Sequence, residues 1–433
     1  MKIEDKLRSN AERHRESIAL KAEGYTVSYS QLYNYVCSKA KTMTYFPGEL
    51  VPIEATPTIE FVVTYFALHL IDAVAVPFEA GLPQKRKEEI IAMFSGKKAP
   101  KGVADVLYTT GTTGKSKAVM VSHDTIFANA ENLVLAQKFT RDVTFIVSGP
   151  LSHIGSLSKL YPTIYVGGTI HLVGGMKSLT AFYEAIDDAP SKVATFLVPT
   201  NIRMLLTLSK EKLASYADKI DFIETGAAPM AQTDMEALCK ILPHTRLYNT
   251  YASTETGIIA TYDYNEGECL AGCLGVPMKH SSFAITPEGR VCCKGKTLMM
   301  GYFGDPELTK TILKDNTIVT NDMGYIDSKG RLRLQGRGDD VINIGGFKID
   351  PTEVEATAMQ YGGVSDCVCI SVKHAFTTNV LKLIIVRGEG YEQKELIKFL
   401  KSRLEAYKVP LLYEEASKIH RTFNGKIDRK LYR

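Results

Sequence analysis

Between about residues 27 and 252 the chain alternates between short apolar runs rich in β-branched residues and stretches of helical length, and no other feature constrains its fold as much. A helix is expected over 30–41, a strand at "ELVPIEA", a helix over 58–71 and a strand at "AVAVPF". Strands at "TFIVSGP", "TIHLVG", "ATFLVP", "KIDFIETG" and "RLYNTYA" then alternate with helices at "HIGSLSKLYPTIYVG", 179–188, "TNIRMLLTL" and 230–242. Parallel neighbours need a long crossover, usually helical, so this rhythm predicts an α/β fold with a mainly parallel sheet. From about residue 270 the helices thin out. "FAITPEGRVCCKG" and "GYIDSKGRLRLQG" carry turn residues between strand-like runs and predict a small β-rich subdomain of hairpins. Beyond Gly338-Asp339-Asp340 the texture changes to short strands and two helices, at 351–360 and 392–405. The expected organisation is a large N-terminal domain at 1–338, made of α/β sheets plus the β-rich subdomain, and a small α+β C-terminal domain at 339–433.

Composition narrows the function. A chain of 433 residues exceeds one ordinary core, and 45% hydrophobic with 23% charged residues reads as globular. A net charge of +4 without a long basic stripe argues against a nucleic-acid partner. The Lys85-Arg86-Lys87 cluster, followed by Lys97, Lys98 and Lys101, reads as a solvated linker face. The eight cysteines are scattered, some within apolar runs such as "CVCI", as suits buried thiols in a reducing, cytoplasmic setting. Cys269, Cys273, Cys292 and Cys293 are poorly spaced for one tetrahedral zinc. The charged N-terminus shows no apolar signal region, and the longest apolar segment, 61–78, contains His69 and Asp72 and reads as a buried helix and strand, not a membrane span.

The stretch "LYTTGTTGKSKAVMVSH" ends its glycine-rich run in Gly-Lys-Ser, yet it is not a Walker A loop, because Thr109 occupies the position of the outer glycine. Hydroxyls and glycines at Thr109, Thr110, Gly111, Thr112, Thr113 and Gly114, with Lys115 and Lys117 beside them, offer another way to grip phosphate. Four further motifs follow in order: "YNTYASTETG" at 248–257, "NDMGYID" at 321–327, "GRGDDVINIGGFKIDPTEVE" at 336–355 and "RTFNGKIDR" at 421–429. Together the five resemble the acyl-adenylate-forming superfamily of acyl-CoA synthetases, luciferases and nonribosomal adenylation domains, over a span from about residue 27 to the end.

The resemblance implies a carboxylate attacking the α-phosphate of Mg²⁺-ATP to give acyl-AMP and pyrophosphate, followed by displacement of AMP by a thiol. It implies that Thr109, Thr110 and Thr113, within the 109–114 loop and with Lys117, hold the β- and γ-phosphates. Glu255 would hold Mg²⁺ and Thr254 would contact the α-phosphate. Tyr251 would stack on adenine and Asn249 would bond its amino edge, with Gly226 and Ala227 also in the ATP site. Asp322 would accept the ribose hydroxyls and Arg337 would sit near ribose and α-phosphate. Lys426 matches the C-terminal catalytic lysine, Asp339 the hinge of a mobile small domain, and His153 an aromatic gate between acid pocket and thiol tunnel.

The chain departs from the pattern in places. Only about 30 residues separate Phe78 from Thr109, so the N-terminal domain is trimmed. Ser116, Ala118, Ala252 and His420 stand where proline, glycine, glycine and proline are usual, and Ala118 and Ala252 add a Cβ. "PLSH" at 150–153 lacks the carboxylate that an ammonium-bearing acid needs, and the pocket segments 153–157, 224–229 and 251–259 read as largely apolar or small. An aliphatic or aryl acid is expected, with coenzyme A as acceptor; a carrier-protein phosphopantetheine is the alternative thiol.

Overall fold

The structure is a computed structural model that describes residues 1–109, 117–176, 178–338, 340, 342–344, 347–373, 379–422 and 425–432. Thr110, Gly111, Thr112, Thr113, Gly114 and Asp339 lie outside the described residues, as does the side chain of Thr109.

The expected alternation becomes a parallel array. Strands Ile18–Ala22, Thr169–Leu172, Thr144–Val147, Val193–Phe196, Ile220–Thr225 and Arg246–Ser253 lie side by side in that order, all parallel. Gly257–Asp263 then turns back antiparallel, and the sheet runs on through Cys273–Pro277, Leu332–Arg337, Thr317–Ile326, Arg290–Gly295 and Ser281–Ile285, all antiparallel. The β-rich subdomain is therefore continuous with the parallel array. A second sheet places Leu50–Ala55, Val74–Glu79 and Val103–Thr109 in parallel, with Lys117–Ser122 and Gly301–Tyr302 antiparallel beyond them.

Local chemistry fixes the helices. Ser28 caps Tyr29–Thr42 by accepting from the Gln31 N–H, while the Gln31 side chain accepts from the Ser28 N–H, a reciprocal capping box. Thr58 and Ser122 cap Ile59–Leu70 and His123–Ala136 in the same way, each accepting from the N–H three residues on. The sequence predicts one helix over 153–167; the chain instead forms Ile154–Leu157 and Leu160–Val166, divided at Ser158 and Lys159, and Pro162 in the second has no N–H to extend the first. The helix Ile3–Arg13, the hairpin Ile18–Ala22/Tyr25–Ser28 and the strand Lys117–Ser122 were not foreseen.

The last hundred residues have a separate core. Val364–Val372 and Val380–Arg387 pair antiparallel, Leu412–Glu415 adds in parallel, and Pro351–Ala358 and Gln393–Lys401 pack over Cys367, Cys369, Leu383 and Ile385. All eight cysteines are free thiols. Among the described residues no helix is long and apolar enough to cross a membrane.

Candidate active site

The site lies where the parallel array gives way to antiparallel strands, with the C-terminal lysine loop docked against it. A tight turn joins Arg246–Ser253 to Gly257–Asp263: Ser253 Oγ accepts from the Thr256 N–H at 3.0 Å, and Gly257 closes the turn at φ 67. A Cβ there would stand 2.4 Å from the Thr297 carbonyl oxygen, so only glycine fits. This turn presents Thr254 and Glu255, both half-buried. The Tyr302 hydroxyl donates to Glu255 Oε1 at 3.1 Å, and Lys117 Nζ lies 5.3 Å from the centre of the Tyr302 ring. Burial and Glu255 push the Tyr302 phenol pKa upward. Sequence reasoning missed Tyr302; its signal is the "GYFGDPE" run, which pairs with the strand following the phosphate-loop motif.

Tyr251 and Asn249 point from the preceding strand and are buried. The Tyr251 hydroxyl donates to Asp322 Oδ2 at 2.7 Å, and Asn249 Nδ2 donates to the Cys273 carbonyl at 3.1 Å. Asp322 and Arg337 are cross-strand partners, with Arg337 Nε 3.9 Å from Asp322 Oδ1. Gly226 and Ala227 follow the end of Ile220–Thr225, and Ala227 is held at φ 66, a left-handed conformation that strains a residue bearing a Cβ.

Lys426 completes the group. The loop carrying it is anchored on both sides: Arg421 makes a two-pronged contact with Asp366 at 2.8 and 2.9 Å, and Arg429 grips buried Glu355 at 2.7 and 2.8 Å while approaching Asp340 at 3.6 Å. Gly425, at φ 75, lies so close to the helix Pro199–Leu208 that a Cβ would be 2.7 Å from Thr200 Oγ1. Lys426 is exposed to the water of the cleft, yet protein crowds it from several sides. That crowding and then Arg337 lower its ammonium pKa, while Asp322 and Glu255 act to raise it. His153, at the start of Ile154–Leu157, is pushed down to about 4, first by burial and then by Lys426, so its imidazole is neutral at pH 7. The structure thus brings together Lys426, Glu255, Asp322, Arg337 and His153, and joins Tyr251 directly to Asp322. Of the expected pocket segments, 224–229 holds a surprise: Glu224 is fully buried against Lys159.

Two carboxylates of one continuous sheet, Glu255 and Asp322, thus face a lysine loop gripped from both sides, beside the strand that follows the phosphate-loop motif. The AMP-binding enzyme family model matches residues 7–97 and 93–303, and the AMP-binding enzyme C-terminal domain model matches residues 353–426. The chain belongs to the AMP-binding enzyme family. It is 28% identical over 331 residues to the 2-succinylbenzoate–CoA ligase of Listeria monocytogenes serotype 4b, covering 75% of this chain and 68% of that protein. It is 26% identical over 403 residues to a long-chain-fatty-acid–CoA ligase of Escherichia coli O6:H1, covering 88% of this chain and 70% of that one. The fold matches ATP-bound MatB from Rhodopseudomonas palustris with a TM-score of 0.86 at 22% identity, covering 100% of this chain and 98% of that one.

Proposed function

We propose that this enzyme activates a small carboxylic acid, aliphatic or aryl, as an acyl-adenylate at the expense of ATP and passes the acyl group to coenzyme A. The observation that carries the reading is the convergence of Lys426, from the C-terminal loop, on Glu255, Asp322 and Arg337 of the large body. Two anions, the acid's carboxylate and the α-phosphate, repel as they approach; a cation reaching between them lowers that barrier. In this reading Lys426 bridges the two, with Arg337 supporting the α-phosphate and Thr254 contacting it. Asp322, steadied by the Tyr251 hydroxyl, accepts from the ribose, and Tyr251 and Asn249 face the base. Thr109–Gly114 and Lys117 take the remaining phosphates, and His153 gates the acid pocket.

Glu255 fits Mg²⁺: it offers carboxylate oxygen, which suits a hard cation, at the mouth of the cleft, and the Tyr302 hydroxyl holds one of its oxygens in place. Bound there, Mg²⁺ would supply positive charge against the phosphate oxygens. The 339–433 unit is read as a mobile domain turning at Asp339, so that Lys426 enters for adenylation and withdraws for thiol attack.

Pyrophosphate release with ATP, Mg²⁺ and a panel of fatty and aryl acids tests the proposal. Glu255→Gln should lower the rate about 100-fold while leaving the melting temperature close to wild type. Silence with every acid, together with absent ATP binding by calorimetry, would sink the reading.

A further inference from the structure

Lys159 and Glu224 form an ion pair inside the large body: Nζ is 2.7 Å from both carboxylate oxygens, and the two side chains are 2% and 1% exposed. Their place gives the pair meaning. Ser158 and Lys159 continue the right-handed backbone of Ile154–Leu157, so Gly155 and Lys159, four residues apart, share a face. A Cβ on Gly155 would lie 3.0 Å from Phe196 Cε1, and one on Gly226 would lie 3.6 Å from Phe196 Cε2. Lys159 Nζ stands 5.2 Å from the centre of that same ring. Phe196 is therefore wedged between two glycines, half-buried, with the ammonium over its ring. His153, which feels Lys426 at the mouth, precedes Lys159 by about 9 Å of helical rise.

Resting on the acid-activating reading, we propose that Phe196 and the Lys159–Glu224 pair form the floor of the acid pocket and restrict this enzyme to compact acids, aryl or short aliphatic, at the expense of long-chain fatty acids. A short acid ends at Phe196, and an aryl acid can pack against its ring. A long apolar tail has to displace Phe196 and then press on two desolvated charges. Parting such a pair leaves each charge uncompensated in the interior, which is strongly unfavourable. Hydrocarbon offers neither charge a substitute partner.

The test measures kcat/KM for pyrophosphate release by the full chain across benzoate, cinnamate, butyrate, hexanoate, dodecanoate and hexadecanoate. The expected result is a drop of about 100-fold or more between the best compact acid and hexadecanoate. Hexadecanoate turned over as well as hexanoate and benzoate would overturn the inference. The double variant Lys159→Ala/Glu224→Ala removes both charges together and opens space over the Phe196 ring. It should raise the dodecanoate-to-hexanoate ratio about 10-fold; an unchanged ratio in the folded variant would also overturn the inference. The wild-type series decides the matter even if the double variant fails to fold. Failure of every acid would instead remove the acid-activating reading itself, an outcome distinct from a flat dependence on chain length.

Discussion

Two clusters of opposite charge, one deep in the large body and one at its cleft, are built from similar side chains but completed in different ways. In the deep cluster His69 sits between two carboxylates, with Nδ1 2.7 Å from Glu4 Oε1 and Nε2 2.9 Å from Asp105 Oδ1. The Tyr65 hydroxyl donates to Asp105 Oδ2 at 2.8 Å and lies 2.8 Å from the Tyr161 hydroxyl. All five side chains are at most 2% exposed, so their charges face protein rather than water. The cluster joins the N-terminal helix, the helix Ile59–Leu70, the strand Val103–Thr109 and the helix Leu160–Val166. At the cleft, Lys426 is exposed and Arg337, Asp322 and Glu255 are half-buried, so a bound substrate can reach their charges. A cluster enclosed by protein contributes to a unique fold; one within reach of a ligand is suited to chemistry.

Four measurements put this contrast to the test. The largest effect is expected from His69→Leu, which strands two buried carboxylates and should cost about 3–5 kcal/mol in chemical denaturation. A loss below about 1 kcal/mol would mean that the cluster does not hold these elements together. Lys426→Ala should instead leave the denaturation midpoint in place and slow acyl-AMP formation by about 10²–10³-fold. Supplied acyl-AMP plus coenzyme A should still yield thioester, and equal slowing of both half-reactions would count against the lysine's proposed role.

The third effect is a pH dependence. Burial alone would lower the pKa of His69, but Glu4 and Asp105 together hold it up at about 10. A histidine raised in the folded state contributes stability that is fully present below its ordinary pKa of about 6.5 and is lost as pH rises toward about 10. The melting temperature should therefore fall between about pH 7 and 9.5, and His69→Leu should flatten that limb. On the acid side His123 and His153, both pushed down to about 4 by burial first, favour the neutral form; their contribution is present above about pH 6.5 and lost as pH falls toward 4. The smallest effect belongs to Ala227→Gly, which relieves the left-handed strain at φ 66 and should stabilise by up to about 1 kcal/mol. A destabilised variant would show that the Ala227 methyl contributes more by contact than it costs in strain.

Much of this was legible in the sequence where the signal is local. Parallel strands and their crossover helices announce themselves by composition and length, and the hairpins by their turn residues. The helix Ile3–Arg13 escaped because its buried face rests on few apolar residues, chiefly Ile3, Leu7 and Ala11, within a highly charged run. The division at Ser158 and Lys159 escaped because the flanking residues are apolar on both sides. The motifs singled out Glu255, Asp322, Arg337 and Lys426, and the fold brings them together. Partners distant in sequence could not be read: nothing near Glu224 announces Lys159, 65 positions away, and nothing near Glu4 announces His69. The segment 224–229 accordingly read as apolar or small although it begins with a buried charge.

The edge of the second sheet has a consequence for how the molecule behaves among its own copies. Within the second sheet, Leu50–Ala55 has a strand partner, Val74–Glu79, on one side only among the described residues; on the other side the Leu50 N–H donates to the Lys97 carbonyl at 2.9 Å, and past that point the strand presents a rim of backbone polar groups. Such a rim invites a stray strand to add to it. Pro52, in the middle of the strand, has no N–H to offer an incoming chain, and Glu54 farther along is occupied by Lys87 from the helix Gln84–Phe94, at 2.7 and 2.8 Å. The missing N–H and the charged clasp make the rim a poor template for aggregation, and this lets the sheet end here without a further strand.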